Sequence, residues 1–148
     1  MKRIVTVVLM LTVMFGSAQA WKPTKGEAKK ITKGLISAIM SGDLQLSLEY
    51  FAPEYVNEQH DNFLEGRTEQ FVMEFIGGVP TTKEGKQLDY VTPKQSDIAS
   101  MKIKDVVIVG ETMYSIVEVT LKDGRKYTTD LNIEVVDGEM LRFWGAVG

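Results

Sequence analysis

From Ile98 to Gly148 the sequence reads IASMKIKDVVIVGETMYSIVEVTLKDGRKYTTDLNIEVVDGEMLRFWGAVG, and this stretch decides the fold. Apolar residues occupy every second position along most of it, which is the pattern of strands that bury one face. The turn sequences GE, DG and DG interrupt the alternation at residues 110–111, 123–124 and 137–138. An Asp-Gly pair favours a tight hairpin because both of its residues tolerate positive φ. We therefore predict three consecutive hairpins, which form a four-stranded antiparallel meander.

The residues ahead of the meander carry a helical period. Thr24 and Glu27 have the spacing of a capping box, in which each side chain bonds the backbone amide of the other. Gly42 can end the helix in the left-handed conformation. The apolar residues between these caps, spaced by three or four, are Ala28, Ile31, Leu35, Ala38 and Ile39. This pattern predicts one amphipathic helix.

Two further helices are predicted before the meander. One precedes Pro53, which breaks it, and the other covers residues 66–76. Residues 55–60 are interpreted as a short strand, and residues 79–97 as a loop with at most one short strand, at 88–91. Helices that cover an apolar sheet face indicate an α+β cone, with three N-terminal helices packed on a curved antiparallel sheet of four to six strands. The open end of such a cone can hold a small apolar ligand.

The first 20 residues have the composition of a secretory signal peptide. Two basic residues precede an apolar run at residues 4–15, and Ala18 and Ala20 place small side chains at positions −3 and −1 of a cleavage site. The run is shorter than the roughly 20 residues of a transmembrane helix. We therefore expect a single mature domain at residues 21–148, in the periplasm or secreted, without stable membrane insertion after cleavage.

Composition excludes several classes of function. The chain carries 17 basic and 20 acidic residues, and it lacks the basic stripe of a nucleic-acid-binding protein. Its lysines at residues 22–33 are interpreted as the solvated face of the first helix. The absence of cysteine excludes disulfides and thiolate sites, and the single histidine, His60, argues against a zinc site. We expect no metal, no cofactor and no nucleic-acid partner.

Three groups of short motifs follow one another along the chain. They are SGD with YFAPEY at residues 41–43 and 50–55, QHDN with EGR at residues 59–62 and 65–67, and VVDGEM at residues 135–140 followed by Trp144. Together they resemble the NTF2-like superfamily, and within it the SnoaL-like group related to polyketide cyclases. The resemblance covers residues 26–148. It implies a cone-shaped fold, a ligand cavity and frequent homodimers.

The chain departs from this family where its catalytic residues would lie. Members with cyclase-like activity often read Glu-His-Trp-Asp after the hairpin glycine, and the Asp acts as acid/base. Here residues 142–145 read RFWG, so Gly145 stands at that position. His60 follows Tyr55 by five residues, whereas the family's His usually follows its Tyr by three. The resemblance therefore implies the fold more strongly than the catalysis.

A carboxylate on the neighbouring strand could fill the vacated place. If residues 137–138 form a two-residue turn, Asp130 lies directly opposite Gly145, with Asn132 and Phe143 on the same face. A carboxylate in an apolar pocket has a raised pKa, which suits proton abstraction next to a carbonyl. Asp130 and His60 are therefore the candidate catalytic residues.

Simple alternation gives the opposite position for Asp130. The row of Tyr127, Leu131 and Val135 is apolar and should face the helices, which points Asp130 to water. A bulge, or a turn longer by one residue, would exchange the two faces. A lone histidine such as His60 is also more often a hydrogen-bonded surface residue than a catalyst. The alternation favours an exposed Asp130.

Candidate ligand-binding residues are the aromatic and amide side chains that could line the cavity. They are Tyr55, Tyr90, Asn132, Phe143 and Trp144. Aromatic residues in a domain of this size also belong to the core in many cases, so both roles stay open.

Three hypotheses for function follow. The first is an exported SnoaL-like protein that binds a small apolar or aromatic molecule without established catalysis. The second is a proton-transfer enzyme of the cyclase or isomerase type that uses Asp130 and His60. The third is a homodimeric interaction module without a ligand, whose exposed sheet face is the partner surface.

Overall fold

The computed structural model describes residues 21–57, 66–82 and 88–147. The predicted signal peptide and His60 lie outside these ranges. Helical elements come first along the chain, followed by strands. The helical elements are α1 (Lys25–Ser41), α2 (Leu44–Ser47), a 3₁₀ turn (Leu48–Tyr50), α3 (residues 53–57) and α4 (Thr68–Phe75), with a second 3₁₀ turn (Gln95–Asp97) before the main sheet.

Six strands form two antiparallel sheets in the described part of the chain. They are β1 (Val79–Thr82), β2 (Leu88–Val91), β3 (Ile98–Val109), β4 (Thr112–Leu121), β5 (Lys126–Val136) and β6 (Met140–Val147). β1 pairs with β2, and β3 to β6 pair in sequence order as a curved four-stranded sheet. This confirms the predicted α+β class and the four-stranded meander. None of the described helices is long and apolar enough to cross a bilayer.

Helix α1 has the ends that the sequence predicts. The Thr24 amide donates to Glu27 Oε2 at 2.7 Å, and the Glu27 amide donates to Thr24 Oγ1 at 3.2 Å. Gly42 ends the helix at φ 76°. The buried residues of the helix are Ala28, Thr32, Leu35, Ala38 and Ile39. This buried side lies chiefly against β3.

Pro53 begins a helix instead of ending one. Residues 53–57 are helical, so the prediction of a strand at residues 55–60 is wrong for 55–57, and 58–60 lie outside the described ranges. Proline suits the first helical position because its missing amide hydrogen would have no helical partner there. The described chain therefore has four α-helices ahead of the sheets where three helices were expected.

The main sheet buries one face against the helices. On β4, Met113, Ser115, Val117, Val119 and Leu121 are buried, while the residues between them are partly exposed. On β5, burial alternates in the same way from Lys126 to Ile133. The core between sheet and helices is formed by residues from both layers, with the fully buried large side chains Leu35, Ile39, Val72, Met73, Ile76, Val106, Val117, Val119, Leu131, Ile133 and Phe143.

A β-bulge in β3 changes which of its residues face the helices. The register shifts between Ile103 and Asp105, because one extra residue stands there. Simple alternation from Met101 and Ile103 would place Val107 and Val109 on the inner face. After the bulge they lie on the outer face, and Val109 is 61% exposed. Val106 takes the inward position and is fully buried. A bulge of this kind is hard to recognise from the spacing of apolar residues in the sequence. It nevertheless moves every following side chain of the strand to the opposite face of the sheet.

The last hairpin has the predicted turn but a different register. Asp137 and Gly138 adopt φ of 53° and 70°, and the Glu139 amide donates to the Val136 carbonyl at 3.2 Å. Glu139 stays outside the ladder, so Val136 pairs with Met140. The loop is thus longer by one residue than the two-residue turn predicted from Asp-Gly.

A second irregularity lies further along the same strand pair. Ile133 pairs with Phe143 and Asn132 pairs with Gly145, which leaves Trp144 as the extra residue of a bulge. Asp130 consequently lies opposite Val147, and the predicted pairing of Asp130 with Gly145 is wrong.

The small sheet is built on a close contact between two backbones. Strand β2 occupies residues 88–91 as predicted, while its partner β1, which contains Pro80, was expected to be loop. Proline is tolerated in edge strands because one side of such a strand needs no donor. A Cβ atom on Gly78 would lie 2.7 Å from the Val91 carbonyl oxygen, so only glycine lets the two chains approach this closely.

Candidate functional site

Asp130 lies on the outer face of the sheet. Its strand neighbours are Ile116 on β4 and Val147 on β6, and its side chain is partly buried. The adjacent residues Thr129 and Leu131 are buried on the helix-covered face. The outer face favoured by the alternation pattern is thus the observed one. His60, the proposed partner of Asp130, lies outside the described ranges.

Asn132 and Phe143 do not share a face of the sheet. Asn132 is partly buried on the outer face, where its Nδ2 donates to Glu134 Oε1 at 3.2 Å. Phe143 is fully buried on the inner face, opposite Ile133. The prediction that both residues flank one cavity is wrong, because the hairpin loop is one residue longer than expected and pairs Phe143 with Ile133 instead of Asn132.

Tyr55, Phe143 and Trp144 belong to an aromatic cluster that joins the helices to strand β6. The ring centroid of Tyr55 lies 5.8 Å from Phe71 and 6.3 Å from Trp144. Phe143 lies 5.8 Å from Phe75, in edge-to-face geometry. These distances are typical of aromatic packing. Burial raises the pKa of the Tyr55 phenol above its usual value. The ring contacts show that this cluster contributes to packing.

A pocket of about 460 Å³ lies beside β5, on the helix-covered side of the sheet. We call it the β5 pocket. Its lining residues come from the end of α4, the small sheet and the last two strands, namely Glu74, Phe75, Gly77, Gly78, Pro80, Tyr90, Thr92, Tyr127, Thr128, Thr129 and Ala146. Its volume falls within the usual range of small-molecule sites, roughly 300–1,000 Å³.

Thr129, one of the lining residues, carries a buried hydroxyl. The residue is 1% exposed, and its Oγ1 has no hydrogen-bond partner among the described residues. The neighbouring Tyr127 hydroxyl donates to the Gly77 carbonyl at 3.3 Å. Burial raises the pKa of the Tyr127 phenol well above its usual range, so this group is neutral at physiological pH. A buried hydroxyl without a partner costs free energy unless a bound molecule supplies one.

The pocket lies where β6 no longer covers β5. The β5–β6 ladder of the described chain begins at Asp130, so residues 126–129 pair with β4 only. Thr128 lines the pocket at this uncovered edge. Gly77, at φ 80°, leaves room next to the hydroxyl, because a Cβ atom there would lie 3.8 Å from Thr129 Oγ1.

The walls of the β5 pocket are mostly apolar. Phe75 is buried and Ala146 is partly buried, and both line the pocket. Tyr90, one of the predicted ligand-binding residues, stands on β2 with 57% of its surface exposed. Among the described residues that line the pocket, Glu74 alone carries a charge at neutral pH, and Gln70 Nε2 donates to its carboxylate at 2.8 Å.

A second cleft, of about 530 Å³, lies between α1 and β6 near Trp21. Its lining includes four charged side chains, Glu27, Lys30, Glu49 and Arg142. The buried polar atoms that lack a partner in the described ranges belong to Ser115, Thr129 and Asn132, and none of these lines this cleft. The β5 pocket is therefore the stronger candidate site.

No cluster of three or more His, Asp or Glu side chains suited to a metal ion occurs within residues 21–57, 66–82 and 88–147. The sequence-based choice of site residues missed Thr129. A signal was present, since Thr129 is a polar residue in the otherwise apolar row of β5, and a polar residue at a buried position is informative.

The chain matches no family model and no curated protein. Among solved structures it is similar to the crystal structure of the iota-carbonic anhydrase from a cyanobacterium complexed with bicarbonate. The sequence identity is 15% and the TM-score is 0.39, over 85% of this chain and 91% of that chain. A likeness at this level carries no argument about function.

Proposed function

We propose that the mature chain is an exported domain that binds a small, mainly apolar molecule in the β5 pocket. The observation that carries the proposal is the pocket residue Thr129, whose hydroxyl is buried and unpartnered among the described residues. Ligand sites commonly combine apolar walls with a few polar groups that orient the ligand. Phe75 and Ala146 supply the apolar wall, and Thr129 supplies the polar group.

We also propose that the domain is an NTF2-like cone of the SnoaL-like group. Two features support this assignment. Helices precede a curved antiparallel meander along the chain, and the motifs at residues 41–43 and 135–140 stand at the end of the first helix and at the last hairpin. In such a cone the ligand lies between the helices and the concave face of the sheet, which is the side of Thr129.

The arrangement favours binding over proton transfer. A reaction that uses Asp130 and His60 needs both groups at one cavity. Asp130 lies on the face of β5 opposite to Thr129. The β5 pocket has no other base than Glu74 among its described lining, and that carboxylate is exposed.

Native mass spectrometry of protein purified from its host tests the binding proposal. The expected result is a complex of the protein with an organic molecule. The protein in this complex should have the mass of a chain that starts at Trp21. The bound fraction should fall in Thr129→Val and persist in Asp130→Asn, which changes the next residue on the opposite face. Equal retention of the molecule by wild type and Thr129→Val would contradict the proposed site, and a mass that includes residues 1–20 would contradict export by cleavage.

A homodimer is a second proposal, and the outer face of the sheet favours it. Val107, Tyr114 and Ile116 are neighbours across β3 and β4 on the face that the described helices leave uncovered. Such apolar groups on a sheet face are typical of partner surfaces. Light scattering after size exclusion should report a dimer that Ile116→Lys dissociates. Thr120→Lys, at the other end of the same strand face, is the matched control, and a wild-type monomer would refute the proposal.

A further inference from the structure

We infer that the ligand of the β5 pocket is an extended peptide segment, which pairs with the free edge of strand β5 and turns apolar side chains into the pocket. The free edge is the stretch of residues 126–129, which lies beyond the end of the β5–β6 ladder. This inference names a ligand class for the proposed binding function and rests on it. It is carried by the direction of main-chain hydrogen-bonding groups, the open space beside them and the charge of the described lining.

The main chain of Thr128 directs its hydrogen-bonding groups toward the free edge. The Leu121 amide donates to the Arg125 carbonyl at 2.8 Å, so the main chain at Arg125 faces β4. The pairing of β4 with β5 continues from there without a register shift. Residues of an antiparallel strand direct their amide and carbonyl groups alternately to one neighbour and to the other. The odd-numbered residues therefore bond β4, whereas Lys126 and Thr128 present their main-chain groups on the side that β6 leaves open.

The other edges of the main sheet are protected in ways that the free edge is not. Strand β3 carries a bulge and the exposed Lys102, and both features discourage pairing with a further strand. Strand β6 is covered where the Ala52 amide donates to the Phe143 carbonyl at 2.8 Å. Lys126 stands on the free edge, but its Nζ lies 3.8 Å from Glu118 Oε1 on β4 and thus leans away from the edge. Within the described chain, no strand pairs with the free edge on the side of β6.

The β5 pocket supplies the space that an added strand needs. Its lining combines the free edge at Thr128 with Gly78 and Pro80 at the small sheet, so an open volume of about 460 Å³ lies beside the edge. Addition of an extended peptide to a sheet edge is a recurring mode of recognition, in which main-chain bonds give affinity and alternate side chains enter pockets. A peptide residue opposite Thr128, in a strand antiparallel to β5, would exchange two main-chain hydrogen bonds with it.

The preferred side chains of the bound segment follow from the two faces of the sheet. Cross-strand neighbours point to the same face, so peptide residues opposite Tyr127 and Thr129 turn inward, to the side of the buried Phe75. Apolar side chains suit this side, because polar groups would lose hydrogen bonds to water there without replacement. Glu74 is the one charged residue of the described lining, so an acidic side chain would be desolvated and repelled. The residue opposite Thr128 points to the outer face, where a polar side chain stays in water.

Three capped peptides of one sequence test the inference by NMR titration of the wild-type protein, with the backbone amides of Lys126, Thr128 and Ala146 as reporters. The sequence is Val-Thr-Val-Thr-Val, acetylated and amidated so that its ends carry no charge. The first peptide is unmodified, the second is N-methylated at both threonines, and the third is N-methylated at the second and third valines. With the valines turned inward, the threonine amides point at β5 and the valine amides point away from it.

The three peptides should differ in affinity although their side chains are identical. The unmodified peptide is expected to move the Thr128 amide proton downfield and to slow its exchange with solvent, because that amide gains an acceptor. N-methylation of the threonines should weaken binding by at least about tenfold, since the peptide loses its donors to β5. N-methylation of the valines stiffens the peptide to a similar degree but removes no bond to β5, and it should change the affinity by no more than about threefold.

Thr128→Pro tests the same contact from the side of the protein. Proline is tolerated on an edge where the missing amide hydrogen has no ladder partner. The substitution should weaken binding of the unmodified peptide by at least about fivefold, as expected for one lost hydrogen bond. Thr128→Ala is the matched control, because it removes the hydroxyl and keeps both main-chain groups, and it should hold the affinity within about twofold. If Thr128→Pro fails to fold, the comparison of the peptides on wild type decides.

The outcomes separate this inference from the proposed function. Equal affinity of the three peptides, or a greater loss from methylated valines than from methylated threonines, overturns strand addition at β5. Failure of the unmodified peptide to shift the reporter amides overturns it as well. In that case a non-peptide molecule found on wild type by native mass spectrometry, and released by Thr129→Val, leaves the proposed function standing. If native mass spectrometry finds no bound molecule either, the proposed binding site is refuted too.

Discussion

The ring of Tyr50 fills the space that a side chain on Gly34 would need. A Cβ atom on Gly34 would lie 2.5 Å from Tyr50 Cε1 and 2.6 Å from its hydroxyl oxygen. Gly34 stands in the interior of α1, where glycine is less favourable than alanine by about 1 kcal/mol. Gly34 therefore lowers the intrinsic stability of helix α1, but it allows the 3₁₀ turn to pack directly on the backbone of the helix.

This contact predicts a strong coupling between the two residues. Gly34→Ala should lower the free energy of unfolding in wild type, because the Tyr50 ring must leave its site. The same substitution in a Tyr50→Ala background should raise the free energy of unfolding by about 1 kcal/mol, the helix-propensity gain. Urea unfolding of the four proteins measures the coupling. Gly26→Ala, whose Cβ would meet nothing closer than 3.7 Å, is the control, and additive effects at Gly34 would refute the contact.

Because the Thr129 hydroxyl has no partner among the described residues, we expect a substitution at this core position to stabilise the protein, whereas most core substitutions destabilise. Thr129→Val keeps the shape of the side chain and removes a polar group without a partner, so the ligand-free protein should become more stable by up to about 1 kcal/mol. Thr32→Val is the contrast, since its equally buried hydroxyl donates to the Ala28 carbonyl at 2.8 Å. That substitution should give no gain. Thermal or urea unfolding of the ligand-free proteins decides, and destabilisation by Thr129→Val would indicate a partner for the hydroxyl.

Burial of Tyr127 predicts a loss of stability in alkali. Its folded-state pKa is raised by burial, while the phenol of an unfolded chain titrates near its usual value of about 10. Both states are protonated below that value, so the contribution of Tyr127 to stability is fully present there. Above it the unfolded state loses its proton first, and the free energy of unfolding falls as pH rises, by at most about 1.4 kcal/mol per pH unit.

Urea unfolding between about pH 9 and pH 11 measures this slope. Tyr127→Phe should flatten it, although part should remain because burial also raises the pKa of Tyr55. Tyr90→Phe removes a phenol that is 57% exposed and should leave the slope as in wild type. A slope that Tyr127→Phe does not change would show that another group causes the alkaline loss.

The position of Asp130 predicts that its charge is dispensable for binding. Asp130→Asn should leave the affinity for the unmodified Val-Thr-Val-Thr-Val peptide within about twofold of wild type, because the side chain lies on the outer face, away from the β5 pocket. Titration of the Gly77 and Ala146 amides provides the measurement. A loss of affinity comparable to that of Thr128→Pro would place Asp130 in the site, and loss of turnover on a ketone-bearing substrate would establish the proton-transfer hypothesis.

The sequence was sufficient to predict the regular parts of the fold. The capping box of Thr24 and Glu27, the left-handed Gly42 and the order of the four long strands all follow from local chemistry and periodicity. The prediction of which side chains face the helices failed where a turn or a bulge contains one additional residue, because that residue moves the following side chains to the other face of the sheet. Asp137-Gly138 specifies the φ angles of its turn, but it does not specify whether Glu139 joins the ladder. The bulge at Trp144 stands next to Gly145, and a glycine inside a strand can indicate a bulge without specifying its position.

The candidate site was less predictable for a physical reason. Tyr90 was expected to line a ligand site, and it does stand at the pocket, whereas Asp130 and Asn132 lie on the outer face of the sheet. The β5 pocket is formed by two glycines, an uncovered strand edge and several hydroxyl-bearing residues, which have no motif in common. Thr129 stands out in the sequence as a polar residue in an apolar row, but only the structure shows that its hydroxyl lacks a partner among the described residues.

The approach of Gly78 to the Val91 carbonyl also bears on how this domain could change its specificity. At one wall of the β5 pocket, the main chain at Gly78 packs against the main chain at Val91. The distance between these two segments therefore does not depend on which side chains the small sheet carries. Substitutions at Pro80 and Tyr90 can therefore remodel the entrance without loosening the scaffold behind it. The same architecture could serve different ligands in diverging copies of the gene, provided that the glycine is retained.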